Sequence, residues 1–209
     1  MSIKITHLSD THNLHHSLKI EMSGIIIHSG DATNLGTIPE VSNFLSWFGK
    51  LPHSYKIFCA GNHDWLFETN TRLAKELCKE HGVIWLQNET IELEGLKLYG
   101  TADQPEFCNW AFNKPPHELL QSYSNIPDDI DVLVTHAPAC GMRDMINSRS
   151  VGSPELSYHL NRLKNLKLHA FGHIHASSGL TVINNIYYSN GAICNEAYKP
   201  VNPVNIFYI

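Results

Sequence analysis

Five short apolar runs, each followed or closed by aspartate, asparagine or histidine, constrain this chain more than anything else in it. They are "IKITHLS" (3–9), "GIIIHSG" (24–30), "YKIFCAG" (55–61), "DVLVTH" (131–136) and "LKLHAFG" (166–172). Short runs rich in Ile and Val, continuous or loosely alternating, read as buried strands. The first leads into Asp10-Thr11-His12, the second into Gly30-Asp31 and the third into Gly61-Asn62-His63-Asp64. The fourth ends in Thr135-His136, and the fifth leads into Gly172-His173-Ile174-His175. In α/β sheets the carboxyl edge of the strands is where ligands bind. One D-x-H or H-x-H is weak evidence. Residues two apart on an extended segment face the same side, but histidine is common here, 14 of 209 residues, and such pairs arise by chance. Five elements at five strand ends are much harder to dismiss. Gly30, Gly61 and Gly172 beside them suggest tight turns or close backbone approach.

Helical patterns separate several runs. "IPEVSNFLSWFG" (38–49) puts Ile38, Val41, Phe44, Leu45 and Phe48 on one face. "NTRLAKELCKEHG" (70–82) carries Leu73, Leu77 and Cys78 and closes at His81-Gly82, where glycine suits the position after the cap. "SPELSYHLNRLKN" (153–165) opens with Ser153 as the expected N-cap and Pro154 at the first helical position. "TIELEGLKLYG", turning at Glu94-Gly95, and "GLTVINNIYYSNG", turning at Asn184-Asn185, read as antiparallel hairpins. The tail "KPVNPVNIFYI" reads as a terminal strand. Strands alternating with helices, plus hairpins, predict an α/β protein with mixed sheets. No repeat, low-complexity tract or linker divides the chain, so one domain over 1–209 is expected.

Charge narrows the function. The formal net charge is −5 with no Lys/Arg cluster, which argues against an extended nucleic-acid interface. A small anionic substrate fits if bound cations supply the positive charge. No run approaches the roughly 20 apolar residues that span a bilayer, and "MSIKITHLSDTHN" goes straight into polar residues, unlike a signal peptide. Five scattered cysteines without a CxxC read as reduced thiols. The expectation is a cytoplasmic protein with a small-molecule substrate and no membrane association; nothing in the sequence sets the oligomeric state.

The candidate ligands agree chemically. Carboxylates, one carboxamide and several imidazoles, with no thiolate, suit Mn²⁺, Fe, Zn²⁺, Ni²⁺ or Co²⁺ better than a Cys-rich zinc site or an all-oxygen calcium site. Seven ligands exceed one tetrahedral ion, but with one bridging carboxylate they fit two ions about 3.5–4 Å apart. The ordered set DTH, GD, GNHD, TH and GHIH, from residue 10 to 175, resembles the calcineurin-like metallophosphoesterase superfamily, D-x-H…G-D…G-N-H-[DE]…H…G-H-x-H. "IPDDIDVLVTHAPACGMRD", "KLHAFGHIH" and "YKPVNPVNIF" are similar to a narrower branch, the metallophosphoesterase-domain-containing proteins.

The resemblance implies a four-layer α-β-β-α sandwich of two mixed β-sheets, with a dinuclear metal site at strand C-terminal ends. Asp31 is then the bridging carboxylate; Asp10, His12 and His175 complete one site, and Asn62, His136 and His173 the other. The implied cofactors are two divalent ions, Mn²⁺ first, with Mg²⁺ also in range. Some members of the narrower branch lack the first histidine of G-H-x-H; His173 is kept here, so both sites are expected to fill. The narrower branch implies a phosphodiesterase for small phosphodiesters, cyclic nucleotides among them.

In the expected mechanism a metal-bridging hydroxide attacks phosphorus in line, and His63, off the metals, stabilises charge or protonates the leaving alkoxide. Asp64 is the candidate to orient that imidazole. Arg143 in "GMRDM" either grips a phosphate oxygen or pairs with Asp144 or another carboxylate. Trp65, Phe107, Trp110 and Phe112 are candidates to stack a base, against the commoner role of packing. His7, His28 and His169 read as core residues; His15, His16, His53, His117 and His159 read as surface or loop residues. Two alternatives stand. One is a phosphomonoesterase, including a protein phosphatase, using the same metals; the other is a catalytically silent binding protein on a borrowed fold.

Overall fold

The computed structural model describes residues 2–22 and 24–209. Four strands run parallel in the first sheet: β1 (Lys4–Leu8), β2 (Ile25–His28), β3 (Tyr55–Phe58) and β4 (Ile84–Trp85). The chain then enters the second sheet through the hairpin β5 (Glu89–Leu93) and β6 (Leu96–Thr101). A two-stranded ribbon follows, β7 (Gln104–Pro105) with β8 (Asn113–Lys114). After β9 (Val132–Thr135) a second ribbon pairs β10 (Met145–Ile146) with β11 (Arg149–Ser150). Next come β12 (Leu168–Phe171) and the hairpin β13 (Gly179–Ile183) and β14 (Ile186–Asn190). Finally β15 (Asn205–Tyr208) returns to the first sheet, antiparallel to β1. The sheet orders are β15-β1-β2-β3-β4 and β13-β14-β12-β9-β6-β5, so both sheets are mixed, as the sequence predicts.

The hairpins fall where their turn residues tolerate left-handed backbone: φ is 53 and 79 at Glu94-Gly95, and 51 and 64 at Asn184-Asn185. Parallel neighbours need crossovers, and helices supply them. α1 (Ile38–Gly49) joins β2 to β3, while α2 (Leu66–Thr69) and α3 (Thr71–Glu80) join β3 to β4. α4 (Pro116–Ser124) and α5 (Pro154–Leu160) lie on the connections into β9 and β12. Thr37 and Glu40 form a capping box at α1, and Ser153 caps α5 through the Leu156 amide. Ile38 is 50% exposed rather than part of the buried stripe, because it occupies the first helical position and burial begins at Val41. α4 lacks a counterpart in the sequence reading, since only Leu119 and Tyr123 are buried along it.

Period-two alternation sorts the second sheet between two cores. Val132 and Val134 of β9, with Leu98, Leu168 and Ala170, join the large core shared with the first sheet. Leu133 and Tyr99 face the other way, onto Leu119, Tyr123 and Leu156 of α4 and α5. On the far side of the first sheet Phe44 of α1 packs 5.1 Å from Phe58 and 4.9 Å from His28. The layers are therefore helix, sheet, sheet, helix.

Three histidines read as surface or loop residues have buried side chains. His15 bonds Asn43 Oδ1 at 2.8 Å, His53 the Glu21 carbonyl at 3.2 Å and His159 the Leu120 carbonyl at 3.1 Å. Each ring spends one nitrogen on a tertiary partner that its sequence neighbours do not reveal. Burial pushes the His15 pKa down to about 4. His7, His28 and His169 are core residues as expected. Among the described residues no helix is long and apolar enough to cross a membrane.

Candidate metal centre

The two stacked sheets are tied together at the carboxyl ends of their parallel strands. Ser9 forms a bridge to Ala192, and the Ser9 amide donates to the Gly191 carbonyl at 2.8 Å. Beneath this junction the His7 ring spans both sheets, bonding Ser29 Oγ at 2.9 Å and Ser189 Oγ at 2.7 Å. Beyond the strand ends the backbone turns left-handed at Asp10 (φ 52), His12 (φ 41), Asp31 (φ 54) and His173 (φ 68). Non-glycine residues enter that region at a cost of order 1–3 kcal/mol, and do so mainly at functional sites. Backbone hydrogen bonds hold them there: Asp10 N to Gly30 O at 2.8 Å and His12 N to Asp31 O at 3.0 Å. Gly61 and Gly172 are required by contact, since a Cβ at the first would overlap the Asp31 carboxylate and at the second the Asp10 carboxylate.

All seven expected ligand side chains converge. His175 Nε2 lies 3.2 Å from Asp10 Oδ1 and 3.3 Å from His12 Nε2. Asp31 Oδ2 is 3.8 Å from His12 Nε2 and 3.3 Å from His136 Nε2. His136 Nε2 is in turn 3.1 Å from Asn62 Oδ1, and its ring centroid is 5.0 Å from that of His173. Donor atoms of Asp10, His12 and His175 lie within 4.8 Å of one another, as do those of Asp31, His136 and His173. Asp31 stands between the two groups. His63 reaches the same centre, with Nε2 4.0 Å from Asp31 Oδ2 and Nδ1 2.7 Å from the Asn34 carbonyl.

This donor set fits two divalent cations. His12 and His175 aim nitrogens at each other, and His12 Nδ1 is buried without a partner. Burial would raise both Asp10 and Asp31, yet His175 and His136 respectively hold them below the ordinary carboxylate range. Burial would lower His136, but Asp31 and then Asp10 push it up to about 9. Two buried carboxylates thus retain positive charge on an imidazole, a role that a bound cation takes over while displacing the proton. Burial lowers His12, and takes His173 down to about 4, favouring the neutral imidazoles that bind metals. Outer contacts orient two of the rings: His136 Nδ1 lies 2.8 Å from the Ser29 carbonyl and His175 Nδ1 3.1 Å from the Asn195 carbonyl.

Two assignments change. Asp64 does not orient the His63 ring; its carboxylate accepts from Gly61 N at 2.8 Å, Thr33 N at 3.0 Å and Thr33 Oγ1 at 2.8 Å. It ties the loop after β2 to the loop after β3, and adjacency along an extended turn carries the two side chains apart. Burial and then the Asp31 charge push the Asp64 carboxyl up to about 6. Arg143 is not in the cleft. Its backbone is left-handed (φ 48) and its guanidinium lies against Gly179. Nor does it pair with Asp144, whose Oδ2 accepts from Gly141 N at 3.0 Å and Gly152 N at 2.9 Å, and also from Ser150 Oγ.

The cleft over the centre has a volume of about 270 Å³. Trp110 tilts onto His63 at 4.2 Å, and Phe107 stands 6.1 Å from His173. Phe112 is buried and Trp65 packs against the core, so neither is placed to stack a ligand. Tyr198, 4.8 Å from His12 and 5.3 Å from His175, lines the cleft together with Glu196. Glu196 lies outside every segment singled out in the sequence, and Tyr198 opens "YKPVNPVNIF", a segment that carries the resemblance but no metal-ligand pattern. A larger hollow of about 460 Å³ beside α5 and β14 contains none of these carboxylates or imidazoles.

Residues 3–177 match the family model described as Calcineurin-like phosphoesterase. The chain is 33% identical over 222 residues to human metallophosphoesterase domain-containing protein 1, covering 94% of this chain and 68% of that protein. It is 34% identical over 220 residues to UPF0046 protein T07D4.2 of Caenorhabditis elegans, covering 91% of this chain and 56% of that protein. The crystal structure of TT1561 of Thermus thermophilus superposes with a TM-score of 0.64 at 13% identity, over 91% of this chain and 89% of that one, and shares the fold.

Proposed function

Because the chain belongs to the calcineurin-like phosphoesterase family, whose members are metal-dependent hydrolases of phosphate esters, we propose that it is a phosphodiesterase for small phosphodiesters, cyclic nucleotides included. In this reading Asp31 would be shared by two divalent ions, manganese first among those the donors suit. Asp10, His12 and His175 hold one ion, and Asn62, His136 and His173 the other. The observation that carries it is the central position of Asp31, with an oxygen within 4 Å of imidazoles from both groups. Two features of the cleft favour a diester. Three aromatic side chains border the centre, Trp110 beside His63, Phe107 beside His173 and Tyr198 beside His12, offering apolar contact to the substituents on phosphorus. Among the described residues no lysine or arginine lines it, so beyond the metals and His63 nothing meets the second charge of a monoester.

The ions supply the Lewis acidity that activates water and neutralises phosphate oxygens. The chain supplies the rest. His63 donates through Nδ1 to the Asn34 carbonyl, which fixes the ring and leaves Nε2 facing the centre. Protonated there, it stabilises a phosphate oxygen or gives its proton to the departing alkoxide. The Trp110 face against the imidazole limits ring rotation. Asp64 keeps the two ligand-bearing loops in register.

The discriminating experiment is turnover by manganese-reconstituted protein of a bis-aryl phosphodiester, an aryl phosphomonoester, and 2′,3′- and 3′,5′-cyclic nucleotides. Diester turnover well above monoester turnover is expected. Hydrolysis of the monoester alone would overturn the reading.

A further inference from the structure

Two cleft residues, Glu196 and Tyr198, take no part in holding metal or moving a proton. They ride on one turn closed by Asn195, whose Oδ1 accepts from the Ala197 and Lys199 amides, each at 3.0 Å. Its own amide donates to the Lys199 carbonyl at 2.9 Å, and its carbonyl accepts from Tyr198 N at 2.8 Å. That same carbonyl holds the His175 ring at 3.1 Å. Tyr198 is thereby kept left-handed (φ 55), with its ring against His12 and His175. The turn is thus tied to the metal centre and presents a carboxylate and an aromatic ring to the space a substituent on phosphorus would fill.

A carboxylate beside a phosphate site is unfavourable for anionic substrates unless something positive stands between them. Among the described residues no arginine or lysine of the cleft wall does so. Aromatic rings present their negative faces to cations, and a carboxylate next to such rings completes a site for an ammonium group. Resting on the phosphodiesterase reading, we infer that the cleft prefers phosphodiesters of an ammonium-bearing alcohol, the ammonium held by Glu196 and the Tyr198 ring in the cleft that Trp110 and Phe107 also line. Hydrolysis consumes one water: its oxygen bonds to phosphorus, the P–O bond to the other alcohol breaks, and that alcohol leaves with a proton. The ammonium alcohol remains as its phosphomonoester.

The test compares p-nitrophenyl phosphodiesters of choline and of its uncharged isostere 3,3-dimethylbutanol, which share a leaving group and a shape. A kcat/KM about tenfold higher for the choline ester is expected, within the range of cation–aromatic and ion-pair contacts. Glu196→Gln and Tyr198→Leu should each collapse that ratio toward one. Equal rates, or faster hydrolysis of the neutral ester, in the unsubstituted protein would overturn the inference and leave the phosphodiesterase reading standing. Glycerophosphocholine in solution and phosphatidylcholine vesicles separate a soluble diester from a lipid headgroup as the source; turnover of neither counts against the inference. A second readout needs no turnover. In metal-free protein choline should quench Trp110 fluorescence, with the quenching lost in Trp110→Phe and absent with 3,3-dimethylbutanol. If neither aryl diester is hydrolysed the phosphodiesterase reading fails, and the quenching still decides whether the cleft selects an ammonium group.

Discussion

At Asp10, His12, Asp31 and His173 a candidate ligand side chain and an unfavourable backbone coincide. A ligand leaving a strand end must turn sharply toward a point between two sheets, and the left-handed region makes that turn within one residue. The arrangement leaves little slack. Gly172→Ala would drive a methyl into the Asp10 carboxylate and Ser9. We expect loss of the ion held by Asp10 and a stability loss of about 1–3 kcal/mol, read by metal analysis and thermal unfolding. His63→Ala should instead retain two ions while kcat falls about 10²–10³-fold; unchanged turnover with both metals bound would remove His63 from the chemistry. The convergence of the seven candidate side chains was legible in the sequence because metal chemistry admits few residue types and strand ends fix their order. Asp64 and Arg143 were not, because neighbours in sequence need not touch. Asp64 reaches a loop more than thirty residues away, to Thr33, and Arg143 reaches Gly179.

Among the elements, the hairpins and three of the helices announce themselves through caps and turn residues whose backbone demands are specific. α4 does not, since Leu119 and Tyr123 alone give too little periodicity to notice. The turn at Asn195–Lys199 is hidden for a different reason: its value lies in a carbonyl pointed at His175, and every residue has a carbonyl. Asn195→Ala removes the acceptor for two amides of that turn. Loosening it should weaken binding of the ion held through His175 by about 10–100-fold, the usual effect of losing a supporting contact, with the other ion's affinity near its original value. Calorimetric titration of metal-free protein resolves the two.

For the whole molecule, the expected fold class and the mixed character of both sheets hold. The strand order within each sheet was not legible, because it is set by long-range pairings such as β6 with β9, which apolar runs do not encode. Interior histidines make the assembled chain sensitive to acid. Burial takes both His7 and His169 down to about 3 from an ordinary value of 6.5. Above pH 6.5 both are neutral whether the chain is folded or not, and their linkage contribution is flat. As pH falls below 6.5 the unfolded chain takes up protons that the folded chain refuses, so stability drops by about 1.4 kcal/mol per pH unit for each ring. The loss continues until pH nears 3. Urea unfolding of metal-free protein between pH 7 and 4 should show this slope, and His169→Gln should flatten it by one proton's worth. An unchanged slope would mean that His169 is not kept neutral by the fold.

The antiparallel pairing of β1 with β15 also sets a clock. The strand that launches Asp10 and His12 finds one neighbour early, at residues 25–28, and the other only at residues 205–208. On a ribosome adding about 5–20 residues per second, the interval between the two is roughly 10–40 s. Through that time one edge of β1 stands open, and an open edge invites pairing with another chain. The cluster of candidate ligands therefore gains its full framework only once β15 is made, although Asp10 and His12 directly follow β1. A nascent chain stalled before β15 should carry all seven candidate ligands and hold them poorly.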